Sequence, residues 1–125
     1  MSEITNVGRV LVPVEDQDEA IAFYTDKLGF TLTADVPFGE GSRWVEVSPS
    51  EGSTAVALVP PQGEYQPGRM TGIGLVSADP KGVHAELKAK GVDVDDEILG
   101  GDGTVPLLFF FRDNNGNQLL LAEAG

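Results

Sequence analysis

One stretch of the chain decides the fold: residues 10–30, VLVPVEDQDEAIAFYTDKLGF, which join a strand pattern to a helix pattern. Every second residue from 10 to 14 is valine, and a period of two built from β-branched residues is typical of a half-buried strand. Asp16 changes the period, because its carboxylate can cap a helix and Glu19 completes a capping box. An apolar stripe at helical spacing then runs to Gly29, a residue favoured just after a helix. The stretch therefore predicts a strand, a helix and a second strand.

The same pattern recurs after a shift of 63 residues, which places Asp79 over Asp16. Asp79 and the following proline give a second helix start, and Gly91 ends that helix one residue early. Alternating strands around the turns at 49–52 and 113–116 complete each half. The sequence predicts a single domain, residues 1–125, with one βαβββ module at 7–60, a second at 71–123 and a Pro- and Gly-rich linker at 60–70.

Composition excludes several classes of partner. The chain has 125 residues, enough for one domain, and a net charge of −12, which would repel a phosphate backbone, so no nucleic acid is expected. No apolar run reaches the length of a membrane helix, so no membrane partner is expected. The chain contains no cysteine, and its N-terminus lacks the basic and apolar regions of a signal peptide. These features predict a cytoplasmic protein.

Four motifs give the chain a resemblance to a known superfamily. They are V-x-D at the end of the first strand, D-x-D-E-A-I-x-F-Y-x-D-x-L-G-F at 16–30, R-W-x-x-V-x-P at 43–49 and R-D-N-N-G-N at 112–117. Together they resemble the vicinal oxygen chelate superfamily of glyoxalase I, bleomycin-resistance proteins, fosfomycin-resistance enzymes and extradiol dioxygenases. The resemblance implies an α+β fold in which two βαβββ modules form a cupped, eight-stranded mixed sheet. It also implies helices outside, a ligand cavity inside and, often, a homodimer.

Alternation along the strands separates two sets of side chains. The large apolar set should pack under the helices: Val10, Val12, Val14, Val56, Leu58, Ile73, Leu75, Leu119 and Leu121. The other set is smaller and more polar, as expected for the wall of a small-molecule site. It supplies the candidate ligand-binding residues: Arg9, Leu11, Trp44, Glu46, Ala57, Gly72, Gly74, Val76, Gln118 and Leu120.

Three of the polar and aromatic candidates have alternative explanations. Arg9 on the inner face needs a partner, which is either Glu46 or an anionic ligand. Trp44 either fills the floor of the cup or stacks on a ligand. The single histidine, His84, lies on the second predicted helix, where a surface or rim position is the simplest explanation.

The resemblance also implies where metal-dependent relatives hold their metal. The corresponding positions in this chain are Arg9, Ala57, Gly72 and Leu120, none of which is a histidine or a carboxylate. Guanidinium has no lone pair to offer, and the other three side chains have no donor atom. We therefore expect no metal and no other cofactor.

Two hypotheses for the function follow. The first is a metal-free protein that sequesters or carries a small apolar or aromatic molecule, neutral to anionic, in the cup. The alternative is an enzyme of the superfamily, a lyase, isomerase or dioxygenase, with a displaced or intersubunit site. Catalytic residues cannot be named from the sequence.

The metal hypothesis gives the first testable prediction. Elemental analysis of freshly purified protein should find no stoichiometric Zn, Ni, Fe, Mn or Mg, because the four corresponding positions lack donor atoms. One metal per chain would contradict the prediction and favour the enzyme hypothesis.

Overall fold

The computed structural model describes residues 2–39 and 41–124, and the chain divides between Gln66 and Pro67 into two compact units. Each unit contains one βαβββ module and forms a four-stranded sheet of its own. The eight predicted strands are thus present as two mixed sheets, and the α+β fold class is confirmed.

The first unit has strand order β1-β4-β3-β2. Strands β1 and β4 are parallel, and the other neighbours are antiparallel. Its elements are β1 (Arg9–Pro13), α1 (Gln17–Ala22), which continues as a π-helical turn (Phe23–Lys27), β2 (Thr31–Pro37), β3 (Arg43–Ser48) and β4 (Ala55–Val59).

The second unit repeats this order as β5-β8-β7-β6, again with its first and last strands parallel. The antiparallel neighbours are β6 with β7 and β7 with β8. Its elements are β5 (Met70–Ser77), α2 (Pro80–Ala89), β6 (Asp93–Val94), β7 (Leu108–Arg112) and β8 (Gln118–Glu123).

Both helices begin and end as the sequence predicts. Oδ1 of Asp16 accepts from the Glu19 amide at 3.0 Å, and Oδ1 of Asp79 accepts from the Gly82 amide at 3.1 Å. The terminal glycines, Gly29 and Gly91, have φ of 76° and 81°, which side chains rarely adopt. The first helical segment is one residue longer between its cap and its glycine. The π-helical turn, which the sequence did not predict, takes up the extra residue.

The large apolar set forms the core of each unit. Val12, Val14 and Leu58 are fully buried in the first unit, and Leu119 and Leu121 are 1% and 6% exposed in the second. Three other members of the set are only half-buried: Val10, Ile73 and Leu75. All three lie on β1 or β5, the edge strands of their sheets, although Val12 on β1 is fully buried. Burial of the central strands supplies the main apolar stabilisation of each unit.

The predicted turn at 113–116 is present, closed by a bond from the Gly116 amide to the Asp113 carbonyl at 3.0 Å. It also fastens the end of the linker. Asn117 is fully buried, and its Oδ1 accepts from the amides of Gly68 and Arg69 at 3.0 and 3.3 Å. Its Nδ2 donates to Oδ2 of Asp113 at 3.2 Å. Because buried amide groups need partners, this network fixes the chain just before β5.

Asn117→Ala should therefore lower the free energy of unfolding by about 2 kcal/mol, since it removes the side-chain bonds to Gly68, Arg69 and Asp113. Chemical denaturation followed by circular dichroism measures the change. Asn114→Ala, at an exposed position of the same turn, is the control and should lie within about 0.5 kcal/mol of wild type. Equal effects of the two substitutions would contradict a special role for Asn117.

Candidate functional site

The open face of the first sheet, opposite its buried valines, brings together five of the predicted site residues. Register pairs place Leu11 beside Ala57 and Ala57 beside Glu46. Trp44 lies on the same face as Glu46, two residues along β3, and Arg9 lies two residues from Leu11 along β1. Ala57 is fully buried beneath these larger neighbours. The small Ala57 side chain therefore makes room for its larger neighbours and is not itself exposed to a ligand.

A shared carboxylate organises this face. Oε2 of Glu46 accepts from Nε1 of Trp44 at 2.6 Å and from Nε of Arg9 at 2.8 Å. The pKa of Glu46 is lowered below its usual value, mainly by the hydrogen bond from Trp44. Burial raises the pKa, whereas the hydrogen bond and the positive charge of Arg9 lower it further. Glu46 is the partner that the sequence analysis required for Arg9. The carboxylate therefore remains ionised and holds the indole in one orientation.

Beside the indole lies a cavity of about 260 Å³, which we call the aromatic cavity. Its lining includes Leu11, Phe38, Trp44, Val59 and Tyr65. The rings of Phe38 and Trp44 meet edge to face, with centroids 5.8 Å apart and planes at 65°. The hydroxyl of Tyr65 donates to the carbonyl oxygen of Leu11, which ties the linker to β1. The cavity therefore has three aromatic side chains and an apolar floor.

Sequence reasoning missed two of these aromatic residues because both lie outside the regular strands. Tyr65 belongs to the segment predicted as a linker, which folds back through paired bonds between Gln62 and Tyr65 of 3.1 and 2.8 Å. Phe38 follows β2 in a Gly-rich loop and is 62% exposed. The available signal was a lone aromatic residue in each of two segments otherwise rich in glycine and proline.

The other five predicted site residues lie on the second sheet. Gly72, Gly74 and Val76 follow one face of β5, and Leu120 pairs with Gly74 from the neighbouring strand. A Cβ at Gly74 would lie 3.4 Å from Cδ1 of Leu120, in van der Waals contact with the leucine side chain. Oε1 of Gln118 accepts a hydrogen bond from Nη1 of Arg112 at 3.3 Å. A role for this set in ligand binding stays a prediction.

His84 contacts two residues outside its own helix, Asp95 and Phe109. Its Nε2 lies 2.7 Å from the carbonyl oxygen of Asp95 and, as the partner is an acceptor, donates to it. The imidazole also meets the Phe109 ring edge to face, with centroids 5.0 Å apart. Both contacts connect α2 with the strands it covers.

The four positions at which the resemblance implies a metal in other proteins do not fit a metal here. Nε of Arg9 is bonded to Glu46, and Ala57, Gly72 and Leu120 have no donor atoms in their side chains. Within residues 2–39 and 41–124, no group of three or more His, Cys, Asp or Glu residues could hold a metal ion. The same part of the chain has no helix long and apolar enough to cross a membrane.

Comparisons with known proteins found a matching family model, similar sequences and similar folds. The model of the Glyoxalase/Bleomycin resistance protein/Dioxygenase superfamily matches residues 6–121. The uncharacterized protein YetH of Bacillus subtilis (strain 168) is 34% identical over 96% of this chain and 99% of its own length. Two solved structures are also similar. TnmS3, an antibiotic binding protein from Streptomyces sp. CB03234, is 32% identical with a TM-score of 0.86 over all of both chains. A superfamily member from Sphaerobacter thermophilus DSM 20745 is 30% identical with a TM-score of 0.87, over 97% of this chain and 98% of its own.

The Glu46 network predicts a pH-dependent change at Trp44, the only tryptophan. Because the pKa of Glu46 is lowered in the folded state, its contribution to stability is complete above the usual glutamate pKa and is lost as the pH falls through the lowered value. Acidification through this range should release the indole and change its fluorescence.

Glu46→Gln should abolish this fluorescence transition. Glu51→Gln, a nearby glutamate with no hydrogen bond to Trp44, is the matched control and should retain it. A transition that persists in Glu46→Gln would show that another group controls the indole.

Proposed function

Because the chain belongs to the glyoxalase/bleomycin resistance protein/dioxygenase superfamily, we propose that it is a metal-free binding protein that sequesters or carries a flat aromatic molecule on the open face of its first sheet. The observation that carries the proposal is the aromatic cavity, in which Glu46 holds Trp44 in place beside Phe38. The similarity to TnmS3, an antibiotic binding protein, supports a small-molecule ligand.

The shape of the cavity favours a ring system. Its volume of about 260 Å³ is slightly below the usual range for ligand pockets, which suits one or two fused rings. The indole N–H is already bonded to Glu46, so the ring face is the part of Trp44 available to a ligand. Stacking on that face contributes about 1 kcal/mol beyond the burial of apolar area.

We propose that the charge of the ligand is set by Arg9, which lies on the same face of the sheet as Trp44 but is not a lining residue of the aromatic cavity. The side chain of Arg9 is 53% exposed, and its Nη groups make no hydrogen bond to the residues that the structure describes. Those groups can donate to a carbonyl or carboxylate oxygen, while Glu46 balances the formal charge. The proposed ligand is therefore flat, apolar and neutral to anionic.

The binding hypothesis has more support than the enzyme hypothesis. Glu46, which is bonded to Trp44 of the aromatic cavity, is held by two donors and has a lowered pKa, whereas a general base works best with a pKa near the operating pH. No specific observation on the described residues favours a lyase, isomerase or dioxygenase.

We also propose a cytoplasmic homodimer. In the first sheet, β2 is an edge strand whose residues are exposed or half-buried, and an unpaired edge needs cover from another chain or from charged residues. Sedimentation velocity at micromolar concentration should give a species of twice the chain mass. A monomer at that concentration would contradict the dimer.

The binding site itself is tested by a matched pair of substitutions. Leu11 and Leu32 are 41% and 40% exposed and lie on opposite faces of the same sheet. Leu11→Asp should weaken the binding of an aromatic ligand at least tenfold, because it places a carboxylate against the cavity wall. Leu32→Asp should leave the affinity within about twofold of wild type.

A ligand is first identified by screening a panel of quinones, aromatic acids and natural-product antibiotics for quenching of Trp44 fluorescence. The same quenching, titrated, measures the affinity of wild type and of both variants. The proposal fails if no compound of the panel binds, or if a compound that binds wild type binds Leu11→Asp equally well. Circular dichroism of both variants shows whether the fold is intact.

A further inference from the structure

A second cavity, of about 540 Å³, opens on the same face of the first sheet, and we call it the polar cavity. Five hydroxyl side chains line it together with the carboxylate of Glu46: Thr31, Thr33, Ser48, Ser50 and Ser53. The neighbouring aromatic cavity instead combines aromatic and apolar residues with Ser42, Arg43 and Gln62. A flat apolar ring in the polar cavity would leave the hydroxyl groups of the cavity without hydrogen-bond partners.

The two cavities are neighbours on the sheet. Glu46 lines the polar cavity, and its Oε2 is bonded to Trp44, which lines the aromatic cavity. Along β4, Ala55 belongs to the polar cavity and Val59 to the aromatic cavity, with Ala57 between them on the same face. Four residues of extended strand span about 13 Å, the length of two linked rings. The Arg9–Glu46 pair lies at the boundary.

The hydrogen-bonding groups of the polar cavity are partly available. The side-chain hydroxyls of Thr31 and Ser50 make no hydrogen bond to the described residues. The hydroxyls of Ser48 and Thr33 donate to the carbonyl oxygens of Ser50 and Glu46 at 2.8 and 3.2 Å, which leaves their own oxygens as acceptors. The cavity therefore offers both donors and acceptors to a ligand.

The negative charge of the residues that line the polar cavity determines which polar ligand groups it can bind. Two carboxylates, Glu46 and Glu51, line the cavity, and no lysine or arginine is among its lining residues in the described part of the chain. Arg9 offsets the charge of Glu46, but Glu51 has no such partner among the described lining residues and would repel a phosphate or carboxylate. A hydroxyl group, by contrast, can donate to either glutamate.

From these observations we infer that the polar cavity binds a neutral, hydroxyl-rich group, such as a glycosyl unit, attached to the ring that occupies the aromatic cavity. This inference rests on the proposed function and specifies its ligand class: an aromatic glycoside with the ring stacked on Trp44 and the sugar on the far side of the Arg9–Glu46 pair.

The matched probes are 4-methylumbelliferone and its β-D-glucoside, compared by isothermal titration calorimetry on the full chain. The glucoside should bind about tenfold more tightly than the aglycone, because the added hydroxyls gain hydrogen bonds in the polar cavity. The double variant Thr31→Val/Ser50→Ala should weaken glucoside binding about three- to tenfold and leave the aglycone unchanged. Thr104→Val, at an exposed position of the second unit, is the control and should change neither affinity.

Each result decides the question. Equal affinities for the two probes in wild type would overturn the glycoside inference and leave the proposed function intact, provided that Leu11→Asp still loses the aglycone. A tighter glucoside whose affinity is unchanged in Thr31→Val/Ser50→Ala would place the sugar elsewhere and also overturn the inference. Failure of both probes to bind would overturn the proposed function for rings of this size, and the inference with it.

Discussion

Each four-stranded sheet has one helix, and one helix can cover only one face of a sheet. This constraint explains how the side chains are distributed in both units. Leu58 and Val12 in the first unit and Phe109 and Phe111 in the second are fully buried on the covered faces. The uncovered faces carry more small, polar and aromatic residues, together with exposed aliphatic side chains such as Leu11 and Val76. Because side chains alternate with a period of two, a slip of one residue in any strand would exchange the two faces.

On the open face of the first sheet, the half-buried carboxylate of Glu46 both pairs with Arg9 and orients Trp44. Glu46 would be costly to desolvate alone, but a neutral donor and a cationic donor share one of its oxygens. In return the carboxylate limits the motion of the Trp44 ring before any ligand arrives. If a ligand stacks on this ring, as we propose, an indole that is already ordered loses less conformational entropy on binding.

The parts of the fold that depend on local patterns could be predicted from the sequence. Alternation identified the strands, and aspartate and glycine marked the ends of the helices. Shared parity then placed Arg9, Trp44 and Glu46 on one face, because this geometry depends only on the strand period and the register. The positions of Phe38 and Tyr65 depend on how irregular segments fold back onto the sheet, and no periodic signal encodes that. The volumes of the two cavities depend on the same loops, so they too required the structure.

The π-helical turn at Phe23–Lys27 has a consequence for how the two halves can diverge in length. The first half has one more residue between its helix cap and its terminal glycine than the second half. That residue widens a single turn, and β2 still pairs with β3 after it. The extra residue is therefore accommodated within the helix, N-terminal to β2. A module can thus gain or lose one residue at this turn while β2 remains paired with β3, in a register that shifts between Leu32 and Ala34.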